Sequence, residues 1–291
     1  MKKLLILSGK GGTGKTTAAA AFIRFAHAAA FADCDVDAPN LHLVAGDDLG
    51  TPEQSDYFGL QKAVIDPAQC TGCGACAAAC RFGAVNAHGG AYAVNEYACE
   101  GCSVCELVCP EEAVTMQDDV AGEVRLYRDN RLFSTAELKM GRGNSGKLVS
   151  EVKKQLDDAA TVEPFAIIDG SPGIGCPVIA SISGVDLVLI VAEPSVSGMS
   201  DMERILKTTA VFNTKAVVCV NKWDTSPENT AVIERFCAEN DIPYVGRIPY
   251  DTQASAAINE GKSVADVDCP ASRALRLIFD RVMGMLKEAG D

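Results

Sequence analysis

A glycine-rich loop near the amino terminus is the feature that most constrains the fold of this chain. Residues 9–16 match the pattern G-x-x-x-x-G-K-[ST], with an apolar run at 3–7 before them and an alanine-rich run at 17–30 after them. When this pattern joins a strand to a helix, backbone N–H groups at the helix N-terminus converge on phosphate oxygens. The sequence therefore predicts a strand, a phosphate-binding loop and a helix. The predicted nucleotide-binding residues of the loop are Gly9, Lys10, Gly11, Gly12, Thr13, Gly14, Lys15, Thr16 and Thr17.

Later apolar runs extend this pattern over the rest of the chain. The runs at 165–169, 186–191 and 216–221 are compact and end at polar residues, which is typical of strands buried on both faces of a parallel sheet. Segments 147–160, 200–211, 230–239 and 270–287 favour helices. Strands that alternate with helices predict an α/β fold with a doubly wound, mostly parallel sheet.

Composition limits the class of protein and its compartment. The 26 Lys and Arg against 39 Asp and Glu leave a formal net charge of −13, which disfavours non-specific nucleic-acid binding. The first apolar run is too short for a signal peptide, and no later run has the length of a membrane span. The 13 cysteines favour metal binding in a reducing compartment over a disulfide framework. We therefore expect a cytoplasmic protein without a membrane span or a nucleic-acid partner.

Eight of the cysteines form two runs with the same spacing. Residues 70–80 and 99–109 each read C-x-x-C-x-x-C-x-x-x-C. This is the spacing of bacterial ferredoxins, in which three cysteines of one run and the fourth of the other run hold each 4Fe-4S cluster. A zinc site needs only four thiolates and leaves the duplication unexplained. The predicted ligands are Cys70, Cys73, Cys76 and Cys109 for the first cluster, and Cys80, Cys99, Cys102 and Cys105 for the second.

The cysteine runs lie in a segment that interrupts the α/β pattern. Residues 61–118 have no long helical or strand period, whereas both flanks continue the alternation of strands and helices. We therefore predict a small inserted α+β domain of the ferredoxin type at 61–118, within a P-loop domain formed by 1–60 and 119–291. Residues 120–145 are interpreted as the connector that returns the chain to the larger domain.

The phosphate loop and two acidic segments resemble the MinD/Mrp/ParA family of P-loop ATPases. The matching stretches are 10–16, with an additional early lysine, 33–40 and 169–173. The resemblance implies that Lys10 reaches the nucleotide of the second subunit in a homodimer. It also implies that Asp35 orients or deprotonates the attacking water and that Asp169 holds magnesium through water.

These assignments give a catalytic set and a magnesium set. The motif itself places Lys15 on the β and γ phosphates and the Thr16 hydroxyl on magnesium. The catalytic set is Lys10, Lys15 and Asp35, and the magnesium set is Thr16, Asp35 and Asp169.

The identity of the base is less constrained by the residues. Asn221-Lys222-Trp223-Asp224 follows a predicted strand and also fits N-K-x-D, the pattern with which GTPases bind guanine. The family resemblance implies ATP instead, with Asn221 at the adenine and the loop containing Pro249 and Asp251 over the base. The expected nucleotide is therefore ATP or ADP with Mg²⁺.

Together, these features predict a homodimeric MgATP-binding ATPase whose nucleotide state gates electron transfer through two 4Fe-4S clusters to a redox partner protein. Chains of this organisation are often grouped as cobyrinic acid a,c-diamide synthase-like, a label that reflects a shared fold. An alternative is an Fe-S cluster carrier or assembly ATPase of the Mrp type, whose partner is an apoprotein. That alternative requires labile clusters, whereas the ferredoxin pattern supplies eight ligands.

Overall fold

A computed structural model describes residues 1–46, 49–160 and 162–288, and it divides the chain into two compact units. Unit 1 comprises Met1–Gln54, Val124–Glu137 and Ser145–Asp291, and unit 2 comprises Ser55–Glu123 and Leu138–Asn144. The predicted inserted domain, 61–118, lies within unit 2, whose ranges are wider. Among the described residues, the structure has no helix with the length and apolar character needed to span a bilayer.

The described elements follow one another along the chain as strands, α-helices and short 3-10 turns. The strands are β1 (Lys2–Leu7), β2 (Ala30–Asp33), β3 (Glu53–Phe58), β4 (Lys62–Ile65), β5 (Val85–His88), β6 (Ala91–Val94), β7 (Val114–Gln117), β8 (Val120–Tyr127), β9 (Leu132–Leu138), β10 (Phe165–Asp169), β11 (Leu187–Ala192), β12 (Lys215–Asn221) and β13 (Tyr244–Ile248). The α-helices are α1 (Lys15–Ala26), α2 (Ala75–Ala79), α3 (Val104–Leu107), α4 (Ser145–Ala159), α5 (Cys176–Ile182), α6 (Val196–Val211), α7 (Pro227–Glu239), α8 (Thr252–Asn259) and α9 (Pro270–Glu288). The 3-10 turns are Leu41–Leu43, Trp223–Thr225 and Val264–Asp266.

The large sheet has the order β13-β12-β11-β1-β10-β2-β9-β8-β3. Every pair from β13 to β9 for which the register is given is parallel, with Leu4 of β1 opposite Ile167 of β10 and Leu187 of β11. The apolar residues of β1 are fully buried, as expected for a central strand covered on both faces. The chain leaves β1 for β2 on one side and later passes from β10 to β11 on the other. Such a switch point opens a crevice at the carboxyl ends of the strands.

Helix packing closes the core of unit 1 around this sheet. Phe22 of α1 meets Phe279 of α9 edge to face, with ring centroids 5.2 Å apart. On the neighbouring strands, Phe31 stacks on Phe133 at 4.8 Å. Aromatic contacts of this kind add to the free energy gained by burying the rings. They fix α1, and with it the loop that precedes α1, against the sheet.

Unit 2 is built from much shorter elements. It holds two two-stranded ribbons, β4 with β7 and β5 with β6, both antiparallel, together with the short helices α2 and α3. Its buried cluster consists of small residues and cysteines, namely Ala63, Cys76, Ala84, Val85, Cys99, Cys105 and Val114. The small core is consistent with a unit that depends on more than apolar burial.

The structure corrects two sequence-based expectations. The interpretation of 120–145 as a connector is wrong, because this segment forms β8 and β9 and only then the start of α4. The burial of β8 alternates over Val124–Tyr127, a period-two signal that the turn residues nearby obscured. The first helix ends at Ala26 and not at residue 30, because His27 adopts a left-handed φ of 46° and Ala30 already belongs to β2.

Candidate functional site

The loop between β1 and α1 has the backbone that its glycines permit. Gly14, the residue before α1, has φ of 95°, and a Cβ placed there would lie 2.3 Å from Nδ2 of Asn221. A Cβ at Gly9 would lie 2.1 Å from Cβ of Asp201. Both positions therefore require glycine, one for its conformation and its space and the other for space alone. The turn leaves the first N–H groups of α1 open to a ligand.

The Lys15 side chain lies buried at the start of α1, facing the ends of two neighbouring strands. Its Nζ is 2.6 Å from Oδ1 of Asp169 and 3.9 Å from Oδ2 of Asp35. Burial lowers the pKa of Lys15, but the charge of Asp169 and the hydrogen bond to it outweigh burial, so the pKa lies above its ordinary value. Without a nucleotide, the lysine is held by carboxylates that a phosphate group would replace.

Residues suited to magnesium surround this ion pair. Oδ2 of Asp169 is buried and accepts no hydrogen bond from the described residues, so one carboxylate oxygen is left for another donor or an ion. The hydroxyl of Thr16 lies 3.3 Å from Nζ of Lys15. Burial raises the pKa of Asp35, and Lys15 only partly offsets this, which favours a carboxylate that can take a proton. The oxygen donors present fit Mg²⁺, which prefers carboxylate, hydroxyl and water oxygens.

One carboxylate that the sequence analysis did not single out shapes the loop around Asp35. The fully buried Asp33 accepts backbone N–H bonds from Asp35, Asn40 and Leu41, each at 3.0 Å. Burial, and then the charge of Asp169, raise the pKa of Asp33 to about 7. Its position next to the predicted water-activating aspartate was visible in the sequence. Its role was not, because two of its three backbone donors, Asn40 and Leu41, come from a later turn of the chain.

A cavity of about 670 Å³ opens beside the loop. Besides the phosphate loop, its lining includes Asp35 and Asn40 from the loop after β2, Ser171 after β10, and Lys262 near the end of α8. Asp169 is bonded to Lys15, and Lys15 lines the cavity. Gly9 and Thr13 line a separate crevice together with Glu193. The predicted residues that line the cavity are Lys10, Gly11, Gly12, Gly14, Lys15, Thr16, Thr17 and Asp35.

A second pocket of about 180 Å³ lies on the other side of the loop glycines and contains Asn221, Pro249 and Asp251. The amide of Asn221 donates to the backbone oxygen of Thr13 at 2.7 Å, which ties the end of β12 to the loop. Both carboxylate oxygens of Asp251 accept backbone N–H bonds, from Gln253 at 2.9 Å and Ala271 at 3.0 Å. Asp251 thus shapes the pocket through the backbone that it holds.

The Asp224 side chain, which completes the N-K-x-D pattern, faces a different partner. Its Oδ1 accepts the backbone N–H of Tyr250 at 2.7 Å. Among the described residues that line the second pocket, Asn221 and Lys222 are present and Asp224 is not. Trp223 lies beneath the guanidinium of Arg247, 4.2 Å from the ring centroid. The carboxylate that would bind a guanine is therefore used to hold the loop of Tyr250.

Lys10 lies at the outer edge of the site and contacts its own chain. Its ammonium group forms an ion pair with Glu193, which follows β11, and lies 3.5 Å from Oγ of Ser197. About two fifths of the Lys10 side chain is exposed. Glu193 was missed by the sequence analysis, although its place directly after a buried strand puts it at the same edge of the sheet as the phosphate loop.

The cysteines of unit 2 surround two small pockets. One is lined by Cys70, Cys73, Cys76 and Cys109, and the other by Cys80, Cys99, Cys102 and Cys105. These are the two sets that the spacing predicts. Within the described ranges, no three His, Cys, Asp or Glu side chains stand close enough to bind one metal ion. The four cysteines of each set share the lining of one pocket.

Backbone donors surround some of these sulfur atoms. Burial raises the pKa of Cys80, but N–H groups of Ala84, Phe82, Val85 and Gly83 outweigh it and lower the pKa. The N–H of Ala113 points at Sγ of Cys109 from 3.3 Å. Donors of this kind stabilise a thiolate, the form in which cysteine binds iron. In contrast, burial raises the pKa of Cys76 and of Cys105.

The sheet order and the phosphate loop define a P-loop nucleotide-binding protein with a mostly parallel α/β fold, as predicted. The chain belongs to the CobQ/CobB/MinD/ParA nucleotide binding domain family, which matches residues 4–264. This confirms the resemblance to MinD and ParA proteins for the P-loop part of the chain.

Three known proteins illustrate the range of its relatives. An uncharacterised protein of Methanocaldococcus jannaschii is 33% identical over 224 residues, which cover 76% of this chain and 78% of that protein. An iron-sulfur cluster carrier protein of the same organism is 23% identical over 151 residues, 47% of this chain and 52% of that one. The Pyrococcus horikoshii septum site-determining protein MinD, solved with Mg-ADP, aligns with a TM-score of 0.59 at 16% identity and covers 100% of this chain and 99% of that one.

Proposed function

We propose that this protein is a homodimeric MgATP-hydrolysing ATPase whose nucleotide state gates electron transfer through two 4Fe-4S clusters to a redox partner. The proposal is carried by one observation, the presence in one chain of a P-loop site and of two pockets that each have four cysteines. Neither feature alone supports it, because P-loop proteins switch many different partners.

The ATPase half of the proposal follows from the ion pairs around Lys15. When a nucleotide binds, Lys15 exchanges Asp169 for the β and γ phosphates. Asp169 and the Thr16 hydroxyl would then be free to hold magnesium, which would neutralise charge on the phosphates. Asp35 then orients the attacking water and takes its proton, a role that its raised pKa favours. Lys10 leaves Glu193 and supplies a positive charge to the nucleotide of the second subunit.

ATP is the proposed nucleotide because neither nearby carboxylate is placed to bind guanine. Guanine recognition needs an acceptor for the ring N–H and the exocyclic amine. Asp224 does not line the base pocket and accepts the Tyr250 backbone N–H, and Asp251, which does line it, is bonded to two backbone N–H groups. The apolar Pro249 of the lining suits the adenine ring, and Asn221 has one amide hydrogen besides the one that it donates to Thr13. ATP hydrolysis at a rate well above that of GTP, measured with both nucleotides at equal concentration, tests this assignment.

The cysteine pockets fit 4Fe-4S clusters better than mononuclear metal ions. Such a cluster binds one thiolate at each of four irons, so its ligands lie around a volume. The four cysteines of each set line one pocket, and their spacing along the chain repeats in both runs, which a single zinc site would leave unexplained. When bound, each cluster stores and releases one electron.

A route for the gating runs through α4 and α5 of unit 1. Gly173, in the loop after Asp169, donates its N–H to the Ser8 backbone oxygen at 3.0 Å, and α5 begins three residues later. At the other end of α5, the buried Lys153 of α4 donates to the carbonyl oxygens of Ala180 at 3.0 Å and Ser181 at 2.7 Å. Helix α4 begins directly after Leu138–Asn144, the return segment of unit 2. A movement of the loop after Asp169 would thus reach the chain that leads to unit 2.

Electron paramagnetic resonance with redox titration tests the proposal. The anaerobically purified protein is titrated with dithionite alone, with MgADP and with MgATP. We expect signals of two reduced clusters whose potential or line shape changes with the nucleotide. A Lys15→Met variant should keep the signals and lose their response. Signals that ignore the nucleotide in the wild-type protein would contradict gating, and the absence of iron signals would contradict the cluster assignment.

A second candidate function is supported by the iron-sulfur cluster carrier among the relatives. In that case the chain would hand a cluster to an apoprotein, and ATP would control its release. Transfer of radiolabelled iron from the protein to an apo-ferredoxin, with and without MgATP, distinguishes the two functions. The three buried cysteines Cys76, Cys99 and Cys105 favour clusters that stay in place.

A further inference from the structure

One turn of helix in unit 2 exposes a wholly apolar face. Val104, Leu107 and Val108 lie at helical positions i, i+3 and i+4, which share one side of a helix. Their exposed fractions are 41%, 89% and 38%. Exposed apolar side chains grouped on one side of an element are typical of interaction sites. We call these three residues the α3 face.

The α3 face distinguishes the two cysteine runs from each other. Aligned on their cysteines, Val104, Leu107 and Val108 of the second run correspond to Ala75, Ala78 and Ala79 of the first. The first run thus has the same turn without the large side chains. Because the two runs serve the same kind of pocket, the pocket itself does not require the α3 face.

The α3 face adjoins cysteines of both sets. Val104 lines the second pocket together with Cys102, which is exposed, and Cys105, which is buried. Cys109, which lines the first pocket, follows Val108 directly. A protein bound to the α3 face would therefore lie next to the outermost cysteine of the second pocket.

The charged residues nearest the α3 face along the chain are acidic, and Lys62, which lies close in space, donates its ammonium group to the backbone oxygen of Cys99. Residues 82–124 contain no lysine or arginine. The nearest acidic side chains along the chain are all exposed, and they are Glu100, Glu106, Glu111 and Glu112. An apolar centre with an acidic rim complements a surface with an apolar centre and a basic rim.

We propose that the α3 face is the docking site of the redox partner, a protein whose redox centre lies beneath an apolar patch ringed by lysine or arginine. The inference rests on the proposed electron-transfer function and names the surface and the kind of partner. One electron passes from the reduced second cluster to the oxidised centre of the bound protein. The cluster is thereby oxidised and the acceptor reduced, with no bond made or broken.

Stopped-flow oxidation of the dithionite-reduced protein by ferric cytochrome c, a basic redox protein used as the probe, tests this docking. For Leu107→Ala, which gives the second run the alanine of the first, we expect the second-order rate constant to fall roughly tenfold, as for a central interface residue. For Glu106→Gln we expect a fall of about two- to threefold at low salt that disappears at high salt. The matched controls Leu277→Ala and Glu239→Gln alter exposed residues of unit 1 and should leave the rate unchanged.

Two further measurements separate the possible outcomes. A small neutral quinone as the acceptor should react equally fast with wild type and Leu107→Ala, because it needs no docking surface. If Leu107→Ala is oxidised by cytochrome c at the wild-type rate, the docking proposal is overturned. It is also overturned if sedimentation shows that Leu107→Ala differs from the wild type in oligomeric state, since the α3 face would then join two copies of this chain. If the wild-type protein has no iron-sulfur resonance, the proposed function fails and the docking proposal fails with it.

Discussion

The two units of this chain are stabilised in different ways. The buried cluster of unit 1 includes whole strands and helices of large side chains, with Phe22, Ile23 and Phe31 fully buried. The buried cluster of unit 2 has three cysteines among its seven residues, and the rest are alanine and valine. A unit with so little apolar burial needs cross-links or metal bonds to offset the entropy of its chain. If the cysteines of unit 2 hold the proposed clusters, they stabilise this unit in addition to their proposed role in electron transfer.

The largest effect expected from the proposed function is the collapse of unit 2 when the iron of its proposed clusters is removed. Chelation under oxidising conditions should let the amides of β4 and β7 exchange at the rate of an unfolded chain, because metal binding and folding are coupled in small metal domains. The amides of β1 and β10 should stay protected. Hydrogen exchange followed by mass spectrometry measures both units in one sample.

A pair of buried cysteines provides the control for this experiment. Cys105→Ser removes a predicted cluster ligand and should reproduce the effect of chelation. Cys237→Ser changes an equally buried cysteine of α7 in unit 1 and should leave the iron content and the exchange of unit 2 unchanged. Continued protection of β4 and β7 without iron would mean that the small core of unit 2 is sufficient.

The same contrast decides how much of the structure could be predicted from the sequence. In unit 1, residues 165–169 were predicted as a strand with the bounds of β10, because a run of large apolar residues between polar ones leaves few alternatives. In unit 2 and its return segment, periodicity was weak. There the cysteine spacing predicted the grouping around two pockets. The strands β8 and β9 were missed, although most of their residues belong to unit 1.

The candidate site divides in a similar way. The loop residues were predicted from their motif, and Asp35 and Asp169 from the family resemblance; the structure places both carboxylates within 4 Å of Nζ of Lys15. The sequence could not locate Glu193 as the partner of Lys10, or Asp33 as the acceptor of three backbone N–H groups. Those roles depend on which strand ends lie side by side and on where a later turn places its backbone.

A substitution in the phosphate loop should abolish ATP hydrolysis by unit 1 and leave the proposed clusters of unit 2 in place. Lys15→Met removes the charge that neutralises the phosphates, so we expect ATP hydrolysis to fall by about a hundredfold or more. The cluster resonances should persist, because no cysteine is touched. Lys215→Met, at the opposite end of β12 from the site, is the control and should hydrolyse ATP like the wild type. Hydrolysis by Lys15→Met at the wild-type rate would overturn the site assignment.

The third prediction concerns Asp33 and the pH dependence of unit 1. Because burial and Asp169 raise the pKa of Asp33 to about 7, the native state binds its proton more tightly than the unfolded chain does. The stability that the protonated Asp33 gives the native state is therefore fully present below about pH 4 and is lost as the pH rises to about 7. Asp33→Asn should flatten this part of the curve.

The same variant should also lower the free energy of unfolding by about 1–3 kcal/mol, because an amide cannot accept all three backbone N–H bonds. Chemical denaturation of the nucleotide-free protein at a series of pH values measures both effects. The control is Asp158→Asn, an exposed position of α4 that should change neither. A curve for Asp33→Asn parallel to that of the wild type would mean that Asp33 does not titrate in this range.

The smallest expected effect tests whether Glu193 competes with a second subunit for Lys10. Glu193→Gln removes the carboxylate that pairs with the partly exposed Lys10 in its own chain. An ion pair of this exposure is worth about 0.2–1 kcal/mol and a homodimer contains two of them, so freeing both lysines should tighten ATP-dependent dimerisation by at most about thirtyfold. Sedimentation of the protein with a non-hydrolysable ATP analogue measures the dimer dissociation constant, with Glu203→Gln of α6 as the control. Weaker dimerisation of Glu193→Gln would mean that Glu193 itself contributes to the dimer, and that its pairing with Lys10 does not compete with assembly.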